Sequence, residues 1–250
     1  VYSSLDSIAL AERNPEKTVV FLGVGFETTA PTAAAAILAA SERKLRNYLV
    51  LSGHKLIPPA MRALVSGGEV SINGFICPGH VSTVIGARPY EFLSAEYGVP
   101  CVITGFEPID ILQGIHMLAE MIRAGEAEVK IQYKRAVRPE GNPRAMELLY
   151  RVFEPGDADW RGLGLIPGSG LLIRKEFERY DARVAMPVEP EETMVPSGCR
   201  CGDVLKGAIT PPECPLFRAA CSPEAPQGPC MVSSEGTCAA YYAYADVEVR

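Results

Sequence analysis

The sequence predicts an α/β fold, a parallel sheet with helices on both faces, followed by a small cysteine-rich C-terminal region. Two features of the body predict the first part. Short apolar, β-branched runs alternate with helical segments, and the chain turns Gly-rich and polar after each run. The cysteines predict the second part: six of the eight crowd between positions 199 and 238, whereas Cys77 and Cys101 stand alone in the apolar body. These shifts divide the 250 residues into an α/β domain over 1–128, a second α/β unit with a linker over 129–195, and a cysteine-rich region over 196–250.

Taken in order, the opening VYSSLDSIALAERNPEK carries Leu5, Ile8, Ala9 and Leu10 on one apolar face. It reads as an amphipathic helix already under way, so further chain is expected upstream of Val1. VVFLGV, YLVLS, GFICP and CVITG are the strands, and PTAAAAILAASERK, PPAMRALVSG, VSTVIGARPYEFLSAEYG and PIDILQGIHMLAEMIRAG are the helices. The last helix sets Ile109, Leu112, Ile115, Ala119 and Ile122 at helical spacing, with Pro108 near its start, where a missing N–H costs little. Beyond it, Asn142 and Pro143 open a helix with Met146, Leu149, Val152 and Phe153 along one side. The Pro-rich PVEPEETMVPSG then forms a linker or long loop.

A hydrophobic share of 48% with 22% charged residues supports a sizeable core. The formal net charge of -6 argues against a nucleic-acid surface, which needs clustered Lys and Arg to displace counterions. No apolar run approaches the roughly 18–20 residues of a membrane span. A cytoplasmic protein with a protein or small-molecule partner is the expectation.

In a parallel α/β sheet, ligands bind beyond the carboxyl ends of the strands. Those ends carry Gly25-Phe26-Glu27-Thr28-Thr29, Gly53-His54-Lys55, Cys77-Pro78-Gly79-His80 and Gly105-Phe106-Glu107-Pro108. Any one loop is explained by a tight turn and a helix cap, which Thr28, Thr29 and Pro31 can supply. Four such loops on one sheet edge point instead to a ligand site. Glu27, Cys77 and His80 are its reactive candidates, since a thiol and an imidazole three residues apart suit nucleophilic, redox or metal chemistry. Gly25, Phe26, Thr28, Thr29, Pro78 and Gly79 would line it. Residues 23–28 approximate a dinucleotide fingerprint with Thr for the third Gly, but the second strand ends in Ser-Gly-His-Lys, without the acid that holds a ribose. A helix N-terminus there still suits a small anion.

Cys199, Cys201, Cys214, Cys221, Cys230 and Cys238 run as Cys-x-Cys and then at gaps of twelve, six, eight and seven residues. Zinc sites usually show Cys-x2-Cys pairs, absent here, whereas an iron–sulfur cluster needs four thiolates and tolerates varied spacing. The order of preference is iron–sulfur, then zinc, then disulfides.

GFETTAP, CPGHVSTVIG, TGFEPIDIL, YKR, WRGLGLIPGSG and the tail CRCGDVLKGAITPPECPLF…GPCMVSSEGTCAAYY together resemble HypD-type hydrogenase maturation proteins, over essentially the whole chain. The resemblance implies a scaffold on which iron receives two cyanides and one carbon monoxide, the Fe(CN)2CO unit of [NiFe] hydrogenase. It implies a HypC-type chaperone and a HypE-type cyanide donor as partners, with the hydrogenase large subunit served indirectly. It also implies a [4Fe-4S] cluster with the spacing Cys-x12-Cys-x6-Cys-x16-Cys. That pattern selects Cys201, Cys214, Cys221 and Cys238 and leaves Cys199 and Cys230 as thiols that can exchange into the set. The family's Cys-Gly-x-His stretch and redox-active Cys-x-x-Cys have no counterpart here and are expected upstream of Val1. Two readings from other classes compete: a nucleotide- or substrate-binding α/β enzyme with a structural metal module, and a pure docking protein.

Overall fold

The computed structural model describes residues 3–67, 72–187 and 197–245. Of the Pro-rich stretch read as a linker, residues 188–196 lie outside the described residues. The chain divides into two compact units, one of Val1–Ala60, Asn73–Ala158 and Pro167–Glu189, the other of Met61–Ile72, Asp159–Ile166 and Pro190–Arg250.

The first unit opens with α1 (Ser4–Arg13), started by a capping box in which the Ser3 hydroxyl accepts from Leu5 N and the Asp6 carboxylate accepts from Ser3 N. Its buried face is Ser4, Ser7, Ile8 and Ala11, so Leu5 and Leu10, read as core, are exposed. The two serines win the inner face because they are small and find partners there. Ser4 donates to Thr32 O at 2.7 Å, and Ser7 Oγ lies 3.1 Å from the Tyr48 hydroxyl.

Strands β1 (Val19–Gly25) and β2 (Tyr48–His54) pair in parallel, from Val19↔Tyr48 to Gly25↔His54. Between them runs α2 (Ala30–Glu42), whose Ala33, Ala34, Ala36 and Ala40 are fully buried beside Ile37. Small side chains bring this helix close to its neighbours in the main core, with Tyr48, Val50, Leu149, Val152 and Phe153. After α3 (Ile57–Ser66) a second sheet forms, in the order β3 (Phe75–Cys77), β4 (Cys101–Ile103), β5 (Val129–Ile131), all parallel. The α/β class with parallel strands therefore holds, but the strands divide between two sheets where one was expected. A βα rhythm fixes crossover and direction; it does not encode which strand each run pairs with.

The segment read as one helix over 81–98 is two, α4 (Gly79–Ile85) and α5 (Glu91–Tyr97). The break is at Gly86, whose φ of +80° and crowding by the Pro139–Gly141 backbone exclude a side chain. In α6 (Pro108–Ala124) the apolar stripe is inverted. Ile109, Leu112, Ile115 and Ile122 are 48–65% exposed, while Asp110, Gly114, Leu118 and Met121 are buried. Gly114 permits close approach to Thr104 and Val102 beside β4, Leu118 and Met121 pack with Val102, and Asp110 is buried because Arg135 and Gln132 satisfy it. Packing against a short strand thus overrides the hydrophobic pattern.

The helix read from Asn142 is α7 (Pro143–Val152), with the Asn142 side chain accepting from Ala145 N at 3.1 Å and Leu149 and Val152 buried. Strands β6 (Phe153–Trp160) and β7 (Gly164–Ile173) pair with each other, and α8 (Ala182–Ala185) closes the described part of this stretch.

In the second unit, three short helices, α9 (Cys201–Leu205), α10 (Pro229–Val232) and α11 (Thr237–Tyr244), are joined by loops. Thiols make much of its core: Cys201, Cys221, Cys230 and Cys238 pack with Val204, Met231 and Ala239. Among the described residues no helix is long and apolar enough to cross a membrane.

Candidate functional site

The strand-end loops gather at two places in the first unit. At the end of β1, Gly25 takes φ +143° and leaves no room for a Cβ against Thr29, so the loop turns tightly into α2. The Thr29 hydroxyl donates back to Phe26 O at 3.3 Å and makes no side-chain cap on α2, whose first turn instead carries Pro31. Glu27 is 2% exposed. Its Oε1 accepts from Ile57 N at 2.9 Å, which ties this loop to the start of α3, while Oε2 has no hydrogen-bond partner among the described residues. Burial raises this carboxyl from its ordinary 4.5 to about 7. Nearby His54, also buried, is lowered by burial to about 4 and is therefore neutral. Its Nδ1 lies 3.4 Å from Ser52 Oγ, and its ring lines a cavity of about 320 Å³ with Thr29 and Thr32.

At the second sheet, Cys77 and His80 differ in surroundings, one buried and the other exposed. Cys77 is buried, and its thiol is pushed well up by contact with the Cys101 thiol and by burial, the environment of an unreactive core cysteine. His80 is exposed and stacks on Phe106, the ring centroids 4.1 Å apart. Gly79 makes the stack possible, because a Cβ there would strike Thr104 O and crowd Phe106 and Tyr133. Behind the ring, Arg135 bridges Asp110 and Glu107 and sits 4.5 Å from the Tyr133 ring centroid, and the guanidinium holds the Asp110 carboxyl well below the usual carboxylate range. Ser82 Oγ lies 2.8 Å from Pro78 O and 3.2 Å from the buried Tyr90 hydroxyl. Burial pushes the Tyr90 hydroxyl well above its ordinary range. Tyr90 and Arg135 escape a reading by motif residue: Tyr90 looks like an ordinary helix aromatic, and only the YKR triplet marks Arg135.

In the second unit all six cysteines are free thiols, five buried and Cys199 half-buried. Cys201 is their hub. It accepts from the Cys199 thiol at 3.4 Å, and the Cys230 thiol holds it down at about 6 while its own pKa rises. Arg161, anchored on Gln227 O, adds positive charge near Cys201, and Gln227 N donates to Cys221 Sγ at 3.4 Å. Cys238 is raised to about 11, first by burial and then by the neighbouring thiols, Cys214 and Cys221 among them. Gly228 faces this group: a Cβ at that position would collide with the sulfurs of both Cys199 and Cys201. A cavity of about 390 Å³ adjoins these two cysteines, lined also by Trp160, Arg161 and Gly162. Among the described residues no three ligating side chains are gathered tightly enough for a mononuclear metal ion.

Comparison with known proteins adds the family context. The HypD family, described as "Hydrogenase formation hypA family", matches residues 1–245. The chain is 45% identical over 251 aligned residues to the hydrogenase maturation factor HypD of Cupriavidus necator, covering 98% of this chain and 66% of that protein. Against the hydrogenase maturation factor HypD of Escherichia coli, identity is 41% over 249 residues, covering 99% of this chain and 67% of that protein. The chain thus spans about two thirds of the length of the curated relatives it matches.

Proposed function

The chain belongs to the HypD family of hydrogenase formation proteins, and on that premise we propose that it acts in the maturation of [NiFe] hydrogenase, as part of a scaffold for assembling the Fe(CN)2CO unit. The observation that carries the proposal is the gathering of five thiols, Cys199, Cys201, Cys221, Cys230 and Cys238, in one small core, with Gly228 leaving space at the Cys199 and Cys201 sulfurs that a side chain would fill. This donor set fits an iron–sulfur cluster: thiolates are its ligands, and N–H donors to sulfur, such as Gln227 N to Cys221, tune its potential. Cys201, Cys214, Cys221 and Cys238 would hold a [4Fe-4S] cluster, drawn together from their present positions as metal binds. The contacts of Cys201 with both Cys199 and Cys230 keep exchange of ligands within the proposal. Such a cluster would supply electrons for the reductive release of cyanide from its donor.

The strand-end residues have separate tasks. His80, held upright by Phe106 and Gly79, presents an imidazole to solvent where the iron cargo and its ligands would lie. Gly25, Phe26, Thr28, Thr29, Pro78 and Gly79 shape the loops, Glu27 fixes the GFETT loop to α3, and Cys77 supports the PGHVS loop from the core. A HypC-type chaperone, a HypE-type cyanide donor and, indirectly, the hydrogenase large subunit are the partners in this reading, which sets the protein in the cytoplasm. The test is His80→Ala in a host whose hydrogenase depends on this protein. Hydrogenase activity is expected to fall while the cluster spectrum is unchanged. Full activity, or loss of the cluster spectrum, refutes the role given to His80.

A further inference from the structure

Beside Glu27 lies a cavity of about 280 Å³, walled by Leu56, Pro58, Pro59, Ile85 and Tyr150. Its volume is roughly twice that of a cavity able to take benzene. The walls are almost wholly apolar; Glu27, 2% exposed, is one of the lining residues, and its Oε2 has no hydrogen-bond partner among the described residues. A buried polar atom without a partner is a standing cost to the fold and a standing attraction for a ligand.

We propose that the cavity binds a small uncharged molecule with an apolar body and a single hydroxyl group, the hydroxyl meeting Glu27 Oε2. A hydroxyl both donates to an ionised carboxylate and accepts from a protonated one, so it suits Glu27 in either state. Burial places Glu27 near the middle of that change at neutral pH. An anion is repelled by the same group, and a purely apolar molecule leaves the oxygen unpaired. The inference goes beyond the maturation reading and needs neither iron nor sulfide.

Phenol is the probe, titrated by calorimetry into the 250-residue protein at pH 7 beside toluene and benzoate. Phenol is expected to bind one per chain, about tenfold tighter than toluene, with no binding of benzoate. Glu27→Leu should erase the preference for phenol, and Met146→Trp, which fills the cavity from its wall, should abolish both. Equal binding of phenol and toluene, an undiminished preference in Glu27→Leu, or no phenol bound to the folded protein overturns the proposal. If Glu27→Leu fails to fold, the phenol-to-toluene ratio in the unaltered protein decides. None of these outcomes changes with cluster content, so this site and the maturation reading stand or fall separately.

Discussion

Glu27→Gln removes an ionisable group from a buried position while keeping its shape and an oxygen able to accept from Ile57 N. The folded carboxyl titrates at about 7 and its ordinary value is 4.5. Between those values the folded protein keeps a proton that the unfolded chain has released. Stability contributed by this group is therefore present at low pH and lost as pH rises through the window. At about 1.4 kcal/mol per pH step, the loss is of order 3 kcal/mol by pH 8. His54 acts in the opposite sense: lowered from 6.5 to about 4, it leaves the unfolded chain binding the extra proton, so its stability grows as pH rises from 4 to 6.5. The two effects oppose each other in the unaltered protein, and the signature lies in the difference between variant and parent. Urea unfolding followed by circular dichroism at pH 4.5, 6, 7 and 8 should show that difference growing in favour of Glu27→Gln by up to about 3 kcal/mol. A difference that stays constant with pH refutes the assignment of a raised carboxyl to Glu27.

Further expectations concern packing and the thiol core. Leu149→Ala, at a fully buried position in the main core, should cost about 2–5 kcal/mol in the same unfolding assay; a loss under about 1 kcal/mol would mean the site collapses freely or the core is misplaced. Gly86→Ala should lower the thermal midpoint well beyond Gly98→Ala, since both require positive φ but only Gly86 also faces backbone atoms of Pro139–Gly141, with Gly98 in open space; equal effects would contradict that packing. Gly228→Ala should sharply reduce iron retained after anaerobic reconstitution, because its methyl group occupies the space of the Cys199 and Cys201 sulfurs; full iron content would show that the cluster lies elsewhere.

Much of the first unit was legible because local chemistry states it. The strands at 19–25 and 48–54 announce themselves as short apolar runs that end in glycine and polar residues, and Asn142-Pro143 marks a helix start that the side-chain cap realises. Partner choice was not legible: nothing in VVFLGV or CVITG says that they join different sheets. The Val-Lys-Ile triplet at 129–131 is too short to signal the strand that completes the second sheet. Hydrophobic periodicity misassigned the inner face of α6, because Gly114, Leu118 and Met121 pack toward Val102 of β4 while Arg135 satisfies the buried Asp110. At the candidate site, the loops were visible as motifs, whereas the separation of buried Cys77 from exposed His80 depends on strand alternation and on the Phe106 stack, which is a contact between distant residues.

The most direct test of the maturation scaffold is metal and acid-labile sulfide analysis of anaerobically purified protein, with absorption and EPR spectra before and after dithionite. The account predicts about four iron and four sulfide per chain, with a spectrum that responds to reduction. Zinc without sulfide contradicts it, and would make the thiol core a structural metal module.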